Sequence, residues 1–244
     1  DLDLVALLPA LHARDVAVTT PAGTRLRLDR VRLRPAWSLS WLRGRPSLAL
    51  ALRAGQARLD GTVRLGPTPG FQGDFSQLDL AQLPAAALGS MGVSLDGRLS
   101  GAVDLRLGDS GLEGAVSLHA TDGSFSMPLL PIGIPFQTVD ADATLGGATL
   151  AEVASLVVDG PMVAMRASGT IARGPNPAFA PLALEARLEV REPALRALVA
   201  DSGVSLGPDG VAELGIGGTL GAPELSPRRP APGARGGAPF PGAP

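Results

Sequence analysis

The chain contains no cysteine, no tyrosine and no lysine among its 244 residues. Without cysteine it can form neither a disulfide framework nor a thiolate metal site, and its redox compartment is left open. Two tryptophans and six phenylalanines supply few of the large buried rings on which many cores depend, so the core must consist mainly of leucine, valine and alanine. All 21 basic residues are arginine, for which a GC-rich genome is the simplest explanation.

Two further absences narrow the classes of partner. A net charge of −2 and a pI near 5.7 give no electrostatic footprint for nucleic acid or for an anionic membrane. The chain also lacks a run of the roughly 20 apolar residues needed to cross a bilayer. Leu78–Leu88 is about half that length and contains Pro84. Since the sequence begins at Asp1 and not at a methionine, we expect an N-terminal anchor or signal to be missing from it.

The dominant pattern along the chain is alternation of apolar and polar residues. Between Val93 and Leu107 every odd-numbered residue is apolar or glycine, and the residues between them are polar or charged apart from Ala102. Alternate residues of a strand face opposite sides of a sheet, so this segment predicts a strand with one apolar face. Four more segments show the same alternation and lack helical spacing: Ala57–Leu65, Leu112–Ala120, Val163–Ile171 and Leu182–Val190. The candidate apolar face contains Val93, Leu95, Leu99, Val103, Leu105, Val116 and Leu118.

An apolar–x–Gly–x–apolar unit recurs inside these segments, as in Leu95–Leu99, Leu99–Val103 and Ala167–Ile171. The glycine always falls on the apolar face, where it packs nothing and costs entropy. Such glycines commonly mark a bulge, a bend or a close approach to the backbone. The repeat therefore predicts a long, elongated sheet that curves strongly, although simple abundance of glycine is the alternative explanation.

Turn residues separate the predicted strands, for example at Gly108–Gly111, Thr121–Gly123 and Gly146–Gly147. One or two short capping helices are predicted, at Leu80–Leu88 and at Pro193–Ala200, where proline occupies a natural first position. From Ala222 the composition shifts to proline, glycine, alanine and arginine. We therefore expect a β domain over residues 1–221 and a disordered tail over residues 222–244, which is either inert or a partner-binding segment.

Residues suited to catalysis or to metal binding are scarce. His12 and His119 lie far apart in sequence, and His119 falls on the polar phase of its strand. Two histidines without cysteine are too few nitrogen and sulfur ligands for a typical structural zinc site. Asp140 and Asp142 face the same way in a predicted strand, but without clustered carboxylates they are expected to be solvated. We expect no enzyme activity, no metal and no cofactor.

Trp37 and Trp41 lie four residues apart and are flanked by Arg34, Arg43 and Arg45. On a short helix the two rings would share a face suited to a membrane interface or to a protein contact. The alternative is that both rings fill the end of a sheet that is otherwise poor in aromatic residues.

Four segments carry a resemblance to a known family. The Gly-containing strands over residues 92–123 and the terminal segment Ile216–Leu225 resemble the β-repeats and closing signature of the AsmA/TamB-like superfamily of envelope proteins. Within it, Val31–Pro46, Phe75–Pro84 and the same terminal segment are most similar to the type II secretion system protein N family of myxobacteria and their relatives. The resemblance spans residues 2–225 and brings no catalytic residues with it.

The resemblance implies a periplasmic β domain, anchored in the inner membrane of a Gram-negative bacterium by an N-terminal helix that this sequence lacks. It also implies a sheet shaped as a groove or an open barrel with an apolar inner face. The first functional expectation is an accessory structural or assembly part of the type II secretion machinery, with other secretion components as partners. The alternative is a lipid-binding or lipid-transfer domain that holds phospholipid in an apolar groove.

Overall fold

The computed structural model describes residues 10–19, 25–37, 41, 44–82, 94–109, 111–127, 130–201 and 204–227. These residues form thirteen β-strands, one α-helix and two short 3-10 helices. The strands are β1 (Leu11–Thr19), β2 (Arg25–Pro35), β3 (Ser47–Ala54), β4 (Ala57–Arg64), β5 (Gly70–Asp79), β6 (Ser94–Gly108), β7 (Gly111–Met127), β8 (Leu130–Leu145), β9 (Thr149–Asp159), β10 (Val163–Ala172), β11 (Leu182–Val190), β12 (Val211–Thr219) and β13 (Ala222–Pro227). The helices are η1 (Leu80–Gln82), η2 (Pro177–Phe179) and α1 (Pro193–Asp201).

All thirteen strands belong to one antiparallel sheet in which each strand pairs with its neighbours in sequence. The order β1 to β13 is not closed on itself, so within the described residues β1 and β13 each have one unpaired edge. This confirms the predicted mainly β fold, with an open antiparallel sheet; α1 is the one α-helix whose range lies within the described residues. At about 4.8 Å per strand, the sheet extends about 58 Å across its strands.

The longest strands and all the register shifts lie in the middle of the sheet. β6, β7 and β8 contain 15, 17 and 16 residues, against a usual strand length of about five or six. Register shifts interrupt the five consecutive pairs from β5–β6 to β9–β10. Because a bulge bends and twists its strand, this central region is where the sheet departs most from a regular pleat.

The predicted C-terminal helix is confirmed as α1, which begins at Pro193. Of the other predicted helix, Leu80–Leu88, only Leu80–Gln82 form a 3-10 turn, and residues 83–88 lie outside the described residues.

Two sequence-based assignments are wrong. Residues 222–227, which were assigned to a tail, form the edge strand β13, whose Pro223 and Pro227 are tolerated because an edge strand need not donate on both sides. Residues 228–244 lie outside the described residues. Thr121–Gly123 is not a turn but part of β7: Asp122 has a φ of 51°, and the strand continues past it.

The fully buried side chains gather towards one end of the sheet. Val163, Val190 and Leu214 pack with Leu195 and Val199 of α1 in one cluster. A second, smaller cluster joins Leu80 of η1 to Ala120, Phe136 and Val158. We call this the capped end, since η1 and α1 lie there and cover the ends of the strands.

Candidate apolar binding face

One face of the sheet carries a row of apolar residues that crosses every strand. Each residue in the row is paired in register with the next, and no polar residue interrupts the row. From β1 to β13 it consists of Leu11, Leu33, Leu50, Gly61, Gly73, Val103, Val116, Ala143, Val153, Gly169, Leu184, Ile216 and Leu225.

A second row runs beside the first and is also apolar across all thirteen strands. It consists of Ala13, Val31, Leu52, Leu59, Phe75, Gly101, Leu118, Ala141, Leu156, Ala167, Ala186, Leu214 and Pro227. The two rows result from the period-two pattern, because strands paired in register place their apolar phases on one side. We call this surface the apolar face.

The apolar face is only partly covered by the described residues. All thirteen residues of the first row are half-buried or exposed, and none is fully buried. In the second row, full burial begins only at Ala167, Ala186 and Leu214, close to α1. From β1 to β8 no residue of either row is fully buried, so the described residues leave part of this apolar surface exposed.

Six of the seven residues predicted to form this face lie on it. Leu95, Leu99, Val103, Leu105, Val116 and Leu118 all occupy the same phase of the β6–β7 pair. Val93 lies outside the described residues.

Phenylalanine rings lie over three glycines of this face, a feature that the apolar alternation does not predict. An added Cβ at Gly61 or at Gly73 would meet the ring of Phe71, at 2.7 and 2.8 Å. At Gly101 an added Cβ would meet Phe75 at 2.9 Å. The glycines therefore allow the phenylalanine rings to approach the backbone closely, as their position on the apolar face predicted. In the sequence, the spacing Phe71–x–Gly73–x–Phe75 is the signal that indicates such ring–glycine contacts.

Bulges account for another part of the glycine repeat. Gly97 and Gly169 have φ values of 126° and 144°, and each lies at a register shift. A residue with a side chain rarely adopts such a backbone conformation. The predicted bulge and close-approach roles are thus both present in the repeat.

Trp37 and Trp41 form a contact in the connection between β2 and β3. Their ring centroids lie 4.3 Å apart at an interplanar angle of 40°. Trp41 Nε1 donates to the carbonyl oxygen of Ala36 at 2.9 Å, and the hydroxyl of Ser47 donates to the same oxygen at 3.1 Å. Trp37 remains 56% exposed, and Trp41 is half-buried.

The opposite, polar face carries hydrogen-bonded side chains in register. His119 Nδ1 lies 2.6 Å from an oxygen of Asp140, and both side chains are half exposed. Asp142 accepts from the hydroxyl of Ser117 at 2.7 Å and from that of Ser155 at 3.3 Å. The predicted solvent exposure of His119 is confirmed. In the described residues, no cluster of three or more His, Asp or Glu side chains is arranged to hold a metal ion.

A shallow cavity of about 530 Å³ also lies on the polar face, between β9 and β12. Its charged lining residues are Arg166, Glu185, Arg187 and Glu213. Arg166 pairs in register with Arg187, and Arg187 pairs with Glu213. With charges of both signs side by side, this cavity does not define one class of ligand.

The fold and its two faces define an open, all-antiparallel β protein with one continuous apolar surface. No described helix is both long enough and apolar enough to cross a membrane. Comparison with protein-family models, with curated proteins and with solved structures finds no match to this chain. The family resemblance therefore rests on the sequence segments quoted above.

Proposed function

We propose that this chain binds the acyl chains of phospholipid on its apolar face. The observation that carries the proposal is the first apolar row, which crosses all thirteen strands and contains no fully buried residue. A monomeric protein rarely leaves so large an apolar surface without a partner or ligand.

The dimensions and energetics fit this ligand. One leaflet of a bilayer has a hydrocarbon thickness of about 15 Å, so a sheet about 58 Å wide exceeds the length of an acyl chain several-fold. Each methylene removed from water contributes about 0.8 kcal/mol, so a few chain segments laid along the rows suffice for stable binding. The absence of polar residues from both rows favours hydrocarbon over a peptide, whose backbone needs hydrogen-bond partners.

Lipid content of the purified protein tests this proposal. The protein is expressed in a Gram-negative bacterium, purified in mild detergent and weighed by native mass spectrometry, and its solvent extract is assayed for phospholipid. We expect bound phospholipid in stoichiometric amount.

A matched pair of variants locates the site. Val103→Gln with Val116→Gln places two amides on the apolar face of β6 and β7, whereas Ala102→Gln with Ala115→Gln places them on the polar face of the same strands. The first variant should lose the lipid and the second should retain it, with similar melting temperatures. Equal lipid content in the two variants would rule out the apolar face as the binding site.

A structural part of the type II secretion machinery is the second candidate. Among the described residues the outer edge of β1 is unpaired, which supports this function because an unpaired strand edge can accept a strand from another protein. A native mass spectrum that shows the purified protein without bound lipid, together with cross-links from β1 to a co-expressed secretion component, would favour this function over lipid binding. The periplasmic location and the inner-membrane anchor stay predictions that depend on the resemblance.

A further inference from the structure

The end of the sheet opposite the capped end is lined with exposed apolar side chains. The meander places there the β2–β3, β4–β5, β6–β7, β8–β9, β10–β11 and β12–β13 connections, together with the start of β1. Hydrogen bonds link neighbouring connections: Leu65 N–H donates to Pro46 O and Leu107 N–H donates to Pro69 O, both at 2.8 Å.

Exposed apolar residues concentrate at this end. Of the nine large hydrophobic side chains that are strongly exposed among the described residues, six lie there: Leu11, Trp37, Leu65, Leu107, Leu112 and Phe179. We call these six residues the rim. Their exposed fractions reach 53% at Leu107 and 60% at Phe179. Five of the six are leucine or tryptophan in or beside a strand end, so the rim continues the apolar face outwards.

The two ends also differ in charge. Among described side chains in the connections or in the last two residues of a strand, the rim end has four arginines and one acidic residue: Arg34, Arg45, Arg64, Arg173 and Asp109. The capped end has four arginines and six acidic residues: Arg53, Arg58, Arg191, Arg196, Asp79, Asp159, Glu189, Glu192, Asp201 and Asp209. The net charge of −2 conceals this separation.

We propose that the rim inserts into the surface of an anionic phospholipid bilayer. Tryptophan and leucine side chains suit the boundary between headgroups and hydrocarbon, while arginine reaches phosphate groups from the same depth. The excess of arginine favours an anionic surface, and the acidic capped end would face away from it. This contact goes beyond acyl-chain binding and does not require that lipid be carried.

The two tryptophans make the contact directly measurable. They are the only tryptophans in a chain without tyrosine, so the protein's indole fluorescence comes from this end of the sheet alone. On mixing with vesicles of phosphatidylcholine and phosphatidylglycerol, we expect a blue shift of the emission and quenching by brominated lipid. Unchanged emission and the absence of co-flotation with these vesicles would overturn the proposal.

Matched variants that keep both tryptophans identify the surface. Leu107→Glu with Phe179→Glu alters the rim, whereas Val18→Glu with Leu198→Glu alters two exposed apolar residues at the capped end. The rim variant should bind the vesicles about tenfold more weakly or worse, and the capped-end variant should bind like the wild type. Equal binding by the two variants would contradict docking through the rim.

The arginines provide a separate readout. Arg34→Gln with Arg45→Gln should lower affinity for phosphatidylglycerol vesicles by about tenfold and leave affinity for pure phosphatidylcholine nearly unchanged. If sedimentation velocity instead finds a lipid-free dimer that the rim variant abolishes, the rim binds a second copy of the chain and not a bilayer. Phospholipid retained by the purified rim variant, with its vesicle binding lost, separates this proposal from acyl-chain binding.

Discussion

The C-terminal strands and the N-terminal strands bury the same kind of apolar face to different extents. Around β10–β12 the face packs against α1, where Val190 is fully buried and Leu195 is 2% exposed. Across β1–β4, Ser47 is the one fully buried residue among those described, and the leucines of the face are half-buried apart from Leu11, which is exposed. The alternating sequence pattern is alike in the two regions, so what differs is the covering element.

The difference in burial assigns different roles to the two regions of the sheet. The C-terminal region contains a closed core of the kind that stabilises a domain. The N-terminal strands β1–β4 are held by backbone pairing and by contacts between neighbouring side chains, which leaves part of their apolar surface exposed among the described residues. The central strands are intermediate, since they contain the small cluster around Phe136 but no fully buried residue in either apolar row of β6 and β7. In the proposed function, the first region supplies stability and the second supplies the binding surface.

Removing a side chain from the closed core should have the largest effect. Leu195→Ala leaves a cavity beneath α1 and should lower the free energy of unfolding by about 2–5 kcal/mol, measured by urea denaturation. Leu118→Ala on the open part of the face should cost only about 1 kcal/mol, because its site is already in part solvated. Equal costs for the two substitutions would mean that the central face is covered as fully as the C-terminal core.

Filling a glycine under a ring should have an intermediate effect. Gly101→Ala would force its Cβ against the carbonyl oxygen of Ser117 and the ring of Phe75, and should destabilise the protein by about 1–3 kcal/mol. Gly217→Ala is the matched control in the C-terminal region, since no atom lies within 4 Å of its added Cβ. Its melting temperature should equal that of the wild type or exceed it slightly. A Gly101→Ala protein as stable as the wild type would show that Phe75 can move aside.

Replacing single arginines should have the smallest effect on stability. Arg191 donates a hydrogen bond to the carbonyl oxygen of Gly160 at 2.8 Å and forms an ion pair with Asp159 at 2.9 Å. These two contacts link the segment before α1 to the turn between β9 and β10. Arg191→Met should cost about 1 kcal/mol in thermal denaturation, mainly through the loss of the carbonyl contact. Arg64→Met breaks the exposed pair with Asp104 between β4 and β6 and should change stability by less than about 0.5 kcal/mol. A larger loss at Arg64 would reverse the ranking of the two regions.

Much of the sheet could be predicted because its signal is local. Alternation fixes which residues share a face, and Val163–Ile171 and Leu182–Val190 agree with β10 and β11 to within one residue. The proline at position 193 similarly marked the start of α1. Such features depend on neighbouring residues in the chain, so sequence alone specifies them.

What could not be predicted depends on pairing between distant residues. The prolines of residues 222–227 favoured a tail, and only the free outer edge next to β12 explains why they form a strand. The φ of Asp122 permits β7 to continue where composition indicated a turn. The rim likewise depends on which connections the strand order brings to the same end of the sheet. The local sequence around Leu107 and Phe179 therefore could not predict that they lie at the same end as Trp37.

The strictly sequential strand order has a consequence for how the chain folds. Each strand after β1 pairs with the strand that precedes it in sequence. The longest connection between strands, residues 191–210, contains α1. Closing such short loops costs little entropy compared with the long crossovers of a Greek key or a parallel sheet. The sheet can therefore grow one hairpin at a time from its N-terminal strand, and each new strand covers the edge that the previous one left open. For a large all-β protein this lowers the contact order and shortens the time during which a bare edge can capture another chain.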